Sequence, residues 1–120
     1  MKERRRHPRI NIDSFIELEN TEIAIERAPI IDIAVDGIGV LQKQPSNIGQ
    51  RFNSTFVIPY DDMKKELSAS CIVYSISPYK NQFRTGMKIL EMSTNDKVSL
   101  ESFVHSKSSI DMMNLQAVNS

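Results

Sequence analysis

The residues best suited to chemistry lie at the start of the chain, in Glu3-Arg4-Arg5-Arg6-His7-Pro8-Arg9. Guanidinium forks bind phosphate in a bidentate manner, bond the O6/N7 edge of guanine and stack on flat rings. Pro8 disfavours helix at His7, so the arginines are expected on an irregular segment able to fold over a neighbouring surface. Alone, such a cluster is a solvated basic tail. It gains meaning only beside a second, converging feature, and Asp32-Ile33-Ala34-Val35-Asp36-Gly37 supplies one. Asp32 interrupts a β-branched run, where a carboxylate is unfavourable unless it meets solvent or a partner. It can accept from guanine N1–H and the N2 amino group, or from an arginine. Gly37 lets the backbone turn and approach a ligand closely. By itself this segment also fits a hairpin turn with an ordinary exposed Asp.

The charge distribution agrees with an anionic partner. The total is balanced at 15 basic and 15 acidic residues, yet Lys2, Arg4, Arg5, Arg6 and Arg9 against Glu3 leave the first nine residues at +4 and the remainder at −4. A basic head on a mildly acidic body suits a nucleotide, a nucleic acid, a membrane surface or the body itself.

Other chemistries find little support. Cys71 is the only cysteine, which excludes an internal disulfide, and with only His7 and His105 beside it a Cys/His metal site is not expected. His7 sits among arginines that disfavour its protonated form, and no Ser/His/Asp or paired-carboxylate signature accompanies it. His105 reads as solvent-facing near a helix end, Cys71 as a small buried hydrophobe, and Asp61-Asp62 as a solvated turn. Single-stranded nucleic-acid binding needs aromatic platforms on a basic face, whereas the eight aromatics here are mostly embedded in strand patterns. No run approaches the ~18 apolar residues of a membrane span, and the basic start lacks a signal-peptide core. The expectation is a cytoplasmic, non-enzymatic protein that binds no nucleic acid, carries no transmembrane segment and requires no metal or cofactor.

At 120 residues the chain has the length of one domain. Ile10, Ile12, Ile16 and Leu18 alternate with polar residues, a half-buried strand pattern that Glu22 to Glu26 resumes. Ile30 to Ile33, then Ile38 to Leu41, flank a turn at Asp36-Gly37, and Pro45 to Gly49 is a loop. Arg51 to Tyr60, Leu67 to Ile76 and Phe83 to Leu90 are further strands, separated by Pro59 to Asp62 and Pro78 to Asn81. About six short strands with no helical pattern between them predict an all-β, antiparallel barrel or sandwich. The period then changes. Ser93 to Asp96 offers N-caps, and Leu100, Phe103, Val104 and Lys107 follow at helical spacing, predicting an amphipathic helix over 95–107 that covers the sheet. Ser109 is expected to cap a second short helical stretch.

Arg5-Arg6-His7-Pro8-Arg9 matches R-x-x-x-R, and Asp32-Ile33-Ala34-Val35-Asp36-Gly37 matches [D/N]-x-S-x-x-G at all but one position. In this order and at this separation, the two motifs resemble the PilZ family, small β-barrel domains that sense the bacterial second messenger cyclic di-GMP. Val73-Tyr74, Arg84 to Ile89 and Phe103-Val104 resemble the family's later strands and closing helix, so the resemblance covers residues 3 to about 106. It implies a six-stranded antiparallel β-barrel of PilZ type closed by an amphipathic C-terminal helix. It divides the chain into an arginine-rich clamp (1–9), the barrel and helix (10–107), and a helical or frayed tail (108–120).

The resemblance further implies a stand-alone receptor for cyclic di-GMP. Arg5 and Arg9 clamp phosphates and guanine edges, Asp32 accepts from a guanine, and Gly37 lets the loop lie against the ligand. Arg4 makes a double-arginine start that in the family accompanies an intercalated ligand pair. Binding orders the arginine segment, and an unidentified protein partner controlling motility, adhesion or polysaccharide output reads the change. Ala34 stands where the family has Ser, forfeiting a hydrogen bond worth roughly 0.5 to 1.5 kcal/mol, about two- to twelvefold in affinity. The alternative is a PilZ-like interaction adaptor that has lost or weakened ligand binding.

Overall fold

The computed structural model describes residues 8–21 and 25–119, with side chains described as far as 108. Its elements are β1 (Ile10–Asn11), β2 (Phe15–Glu19), β3 (Glu26–Ala34), β4 (Gly37–Gln42), β5 (Arg51–Tyr60), β6 (Met63–Tyr79), β7 (Gln82–Met92) and α1 (Thr94–Asn119). Every strand pairing is antiparallel, and the order β3-β2-β5-β6-β7-β4 closes on itself through a β3–β4 pairing. Six strands therefore form the expected closed barrel, with the two residues of β1 added along the edge of β3 beside β2.

Period-two alternation explains the inside of the ring. Phe52, Ser54, Phe56 and Ile58 of β5 are buried, while Arg51 and Asn53 on either side of Phe52 are exposed. Ile16, Leu18, Ile33, Ile38, Val40, Leu67, Val73 and Met87 complete the same cluster from the other strands. Buried polar atoms are paired: Gln42 Nε2 donates to Glu26 at 3.0 Å, and its Oε1 accepts from Thr85 at 2.6 Å and from Ser46 at 2.9 Å. A 17-residue strand, β6, holds the two halves together, pairing with β5 along its first part and with β7 along its second.

Three expectations change in detail. The alternation starting at Ile10 predicts one strand, but the chain leaves the sheet at 12–14. There the Ser14 carbonyl accepts from Ile30 N at 2.9 Å, and Ser14 Oγ donates to the Val57 carbonyl at 3.0 Å. Of the resumed pattern at Glu22 to Glu26, residues 22–24 lie outside the described residues, and Glu26 opens β3. The helix predicted over 95–107 begins at Thr94 and runs unbroken to Asn119, so Ser109 caps no second stretch and the exposed His105 sits mid-helix. Once the preceding turns are helical, the amides after Ser109 have partners within α1, and a side-chain cap has nothing left to satisfy.

The start of α1 is fixed as its residues predict. Ser93 Oγ accepts from Asp96 N at 3.2 Å, Asp96 Oδ2 accepts from the Ser68 amide of β6 at 3.1 Å, and Lys65 donates to Ser99 at 2.6 Å. Leu100 and Val104 are buried in the barrel's cluster, with Phe103 packed against it. Among the described residues, no helix is long and apolar enough to cross a membrane.

Leu100→Ala removes the central side chain of this seat and is expected to cost about 2–5 kcal/mol, measurable as a lowered urea midpoint. Cys71 is fully buried, and burial pushes its thiol pKa up against the opposing contact with Ser54 at 3.5 Å. A raised folded-state pKa favours the folded protein until the unfolded thiol ionises. Stability is therefore expected to decline above about pH 8.5, and a thiol reagent to label Cys71 only on unfolding.

Candidate ligand-binding site

Two irregularities in the barrel wall build the site. The β3–β4 pairing steps from Ile30↔Val40 to Asp32↔Gly39, leaving Ile31 as an extra residue. Ile30 and Ile33 thus both face the core although three residues apart, and Asp32 faces outward. The β6–β7 pairing likewise steps from Val73↔Met87 to Ser75↔Gly86, leaving Tyr74 as an extra residue exposed on the outer face.

Asp32 is the centre of the arrangement. Its Oδ1 accepts from Arg9 Nη1 at 3.0 Å and its Oδ2 from Arg84 Nη2 at 2.7 Å. Arg9 also donates through Nη2 to the Tyr74 hydroxyl at 2.9 Å. The three charged side chains are only 13% (Arg9), 15% (Asp32) and 24% (Arg84) exposed. Lys88 adds a further cation, its Nζ 5.5 Å from the centre of the Tyr74 ring. Burial works against the charge on Arg9, but Tyr74 and Asp32 together outweigh it and hold the guanidinium pKa above its usual value.

The floor is made of small residues. Gly39 on β4 pairs with Gly86 on β7, Gly37 pairs with both Ala34 and Lys88, and Ala34 is almost fully buried. A Cβ at Gly39 would stand 2.6 Å from Asp32 Oδ1 and 2.9 Å from Arg84 Nη2, so the ion pair occupies the space a side chain would need. Arg9 Nη2 lies 3.7 Å from the corresponding point above Gly37. Two guanidiniums on one carboxylate, over a low floor with a tyrosine ring and a lysine at its side, can hold a flat anionic ligand that also offers hydrogen-bond donors.

Of the expected site residues, Arg9, Asp32, Ala34 and Gly37 come together on this face, while Arg4 and Arg5 lie outside the described residues. Sequence reasoning missed Arg84, Tyr74 and Gly39. In the sequence, Arg84 and Tyr74 are ordinary outward strand positions, and only the register of β7 against β4 brings Arg84 within reach of Asp32. Among the described residues, no group of His, Cys, Asp and Glu could hold a metal ion.

The family model for the PilZ domain matches residues 3–106, and the chain belongs to that family. PilZ domains are ligand-binding effector domains, and cyclic di-GMP is the ligand they take. Among solved structures, the inhibitor of motility MotI/DgrA of Bacillus subtilis is similar with a TM-score of 0.78 at 15% identity, over 89% of this chain and 52% of that one. The PilZ domain of YcgR from Escherichia coli, solved with c-di-GMP, gives 0.69 at 19% identity, over 95% and 98%. The Klebsiella pneumoniae MrkH–c-di-GMP complex gives 0.72 at 14% identity, over 99% and 57%. The chain therefore spans about half the length of MotI and MrkH and nearly all of the YcgR domain. No curated protein sequence matches it significantly.

Asp32→Ala would leave two largely buried guanidiniums without their shared acceptor. The expected cost is about 1–3 kcal/mol of folding stability, read from denaturant titrations of both proteins.

Proposed function

We propose that this protein is a cyclic di-GMP receptor that signals through a partner protein and not through catalysis. The observation that carries the reading is the convergence of Arg9, Asp32 and Gly37, parts of two motifs 23 residues apart, on one outer face of a PilZ barrel. The chemistry of that face supports it. Arg9 suits a phosphate or the O6/N7 edge of guanine, Asp32 suits the guanine N1–H and N2 amino donors, and the glycine floor lets a ring system lie close. Arg5, and Arg4 beside it, supply further cations from the same segment. Binding draws Arg9 off Asp32, and a partner reads the altered face. The YcgR domain and MrkH were both solved with this ligand, and MotI is an inhibitor of motility. By analogy we assign the protein to the cytoplasm and its output to motility, adhesion or polysaccharide production.

Ala34 favours a second reading, an adaptor that works by protein contacts without ligand. It pairs with Gly37, at the position where the family's serine would offer a hydroxyl. The loss of one neutral hydrogen bond weakens binding by about two- to twelvefold, less than the charge-assisted contacts that Arg9 and Asp32 retain.

Calorimetry with cyclic di-GMP at physiological salt separates the two. The receptor reading expects saturable micromolar or tighter binding that Arg9→Ala and Arg5→Ala each weaken at least about tenfold, that GTP does not reproduce, and that Ala34→Ser tightens. No heat from folded protein up to about 100 μM ligand would leave the adaptor.

A further inference from the structure

We infer that Arg84, outside both sequence motifs, is a positioning residue of the ligand site: it holds the Asp32 carboxylate aimed at the guanine edge while Arg9 leaves for the ligand. The inference rests on the cyclic di-GMP reading and deepens it. A guanine presents N1–H and the N2 amino group as two parallel donors, and a carboxylate matches them only when both its oxygens point outward in one plane. An aspartate on a strand turns about two side-chain bonds, so something must hold it. Arg9 cannot hold it in the bound state, because in the proposed mechanism its guanidinium turns to the ligand.

Arg84 is placed to stay. It belongs to β7, inside the closed ring, whereas Arg9 precedes the first strand. Its bond to Asp32 is the shorter of the two, 2.7 Å against 3.0 Å, and uses the other carboxylate oxygen. Each carboxylate oxygen has two lone pairs, so Oδ2 can keep Arg84 and still accept from guanine, while the departure of Arg9 frees Oδ1 altogether. The hand-over also solves an electrostatic problem. Asp32 is only 15% exposed, and a carboxylate that buried is costly without a cation, which Arg84 supplies throughout. The β-bulge at Ile31 and the missing side chain at Gly39 both serve this pair, since a methyl group at Gly39 would collide with Asp32 Oδ1 and Arg84 Nη2 together.

A positioned carboxylate chooses between bases. Adenine turns a lone pair on N1 toward it where guanine turns a donor, so Arg84 is expected to govern discrimination more than general affinity. The test is calorimetry of the full chain with cyclic di-GMP and cyclic di-AMP, using wild type, Arg84→Met, Arg84→Lys, Asp32→Ala and the double variant Asp32→Ala/Arg84→Met. Arg84→Met is expected to lose about tenfold or more in cyclic di-GMP affinity with cyclic di-AMP affinity nearly unchanged, and Arg84→Lys to recover part of the loss. In the Asp32→Ala background the Arg84→Met loss should shrink to less than about threefold, because Arg84 acts through Asp32. Gly39→Ala keeps the arginine but dislodges the pair, and should reproduce the loss of discrimination should Arg84→Met fail to fold. Equal cyclic di-GMP affinity in folded wild type and Arg84→Met overturns the inference and leaves the receptor reading intact. So does an Arg84→Met loss of the same size with and without Asp32, which would make Arg84 a direct phosphate contact. A wild type that binds neither dinucleotide removes the receptor reading, and this inference with it.

Discussion

A single carboxylate, that of Asp32, sits between guanidiniums contributed by Arg9 and Arg84, and its position depends on most of the barrel. Arg9 reaches it because β1 pairs with the same stretch of β3 that carries Asp32. Arg84 reaches it because β4 lies between β3 and β7 and presents glycine at the crossing. Both contacts follow from strand register, the first from β1 on β3 and the second from β3 and β7 on either side of β4. Asp32 meets Arg84 across β4 because that strand pairs with its hairpin partner β3 on one edge and with the distant β7 on the other.

The stability of the fold comes from elsewhere. The interior is aliphatic and aromatic, capped by Leu100 and Val104, and its polar members, Gln42, Ser54 and Thr85, all have partners. The charged cluster lies outside that core, on a wall that the core already supports. A mostly buried ion triad contributes little net stability against its desolvation cost, so the barrel does not rest on it.

Much of this was legible in the residues. β5 could be read directly because Phe52, Phe56 and Ile58 fall on one side of a period of two, and the start of α1 because Ser93 and Asp96 have capping spacing. Arg9, Asp32 and Gly37 were legible because they lie in local motifs whose chemistry is complementary. Arg84, Tyr74 and Gly39 were not. Their roles come from register across three strands, and that register is reset by bulges at Ile31 and Tyr74 which break the alternation that strand reading relies on. A run such as Ile30-Ile31-Asp32-Ile33 carries no mark of which residue is the extra one. The continuation of α1 past Ser108-Ser109 was hidden for a different reason: serine is a weak helix former, and two in a row resemble a boundary that the preceding turns simply override.

The long strand β6 also limits how this sequence can drift in length. The Ser68 amide holds the first turn of α1 through Asp96, and six residues along the same strand the Tyr74 hydroxyl receives Arg9, about 20 Å away. An insertion or deletion of one residue between them would reverse the side on which one of the two contacts falls. That segment is therefore intolerant of indels, while the turns at either end of β6, where Asp61 and Lys80 already adopt left-handed backbone, are the places where this barrel can lengthen or shorten.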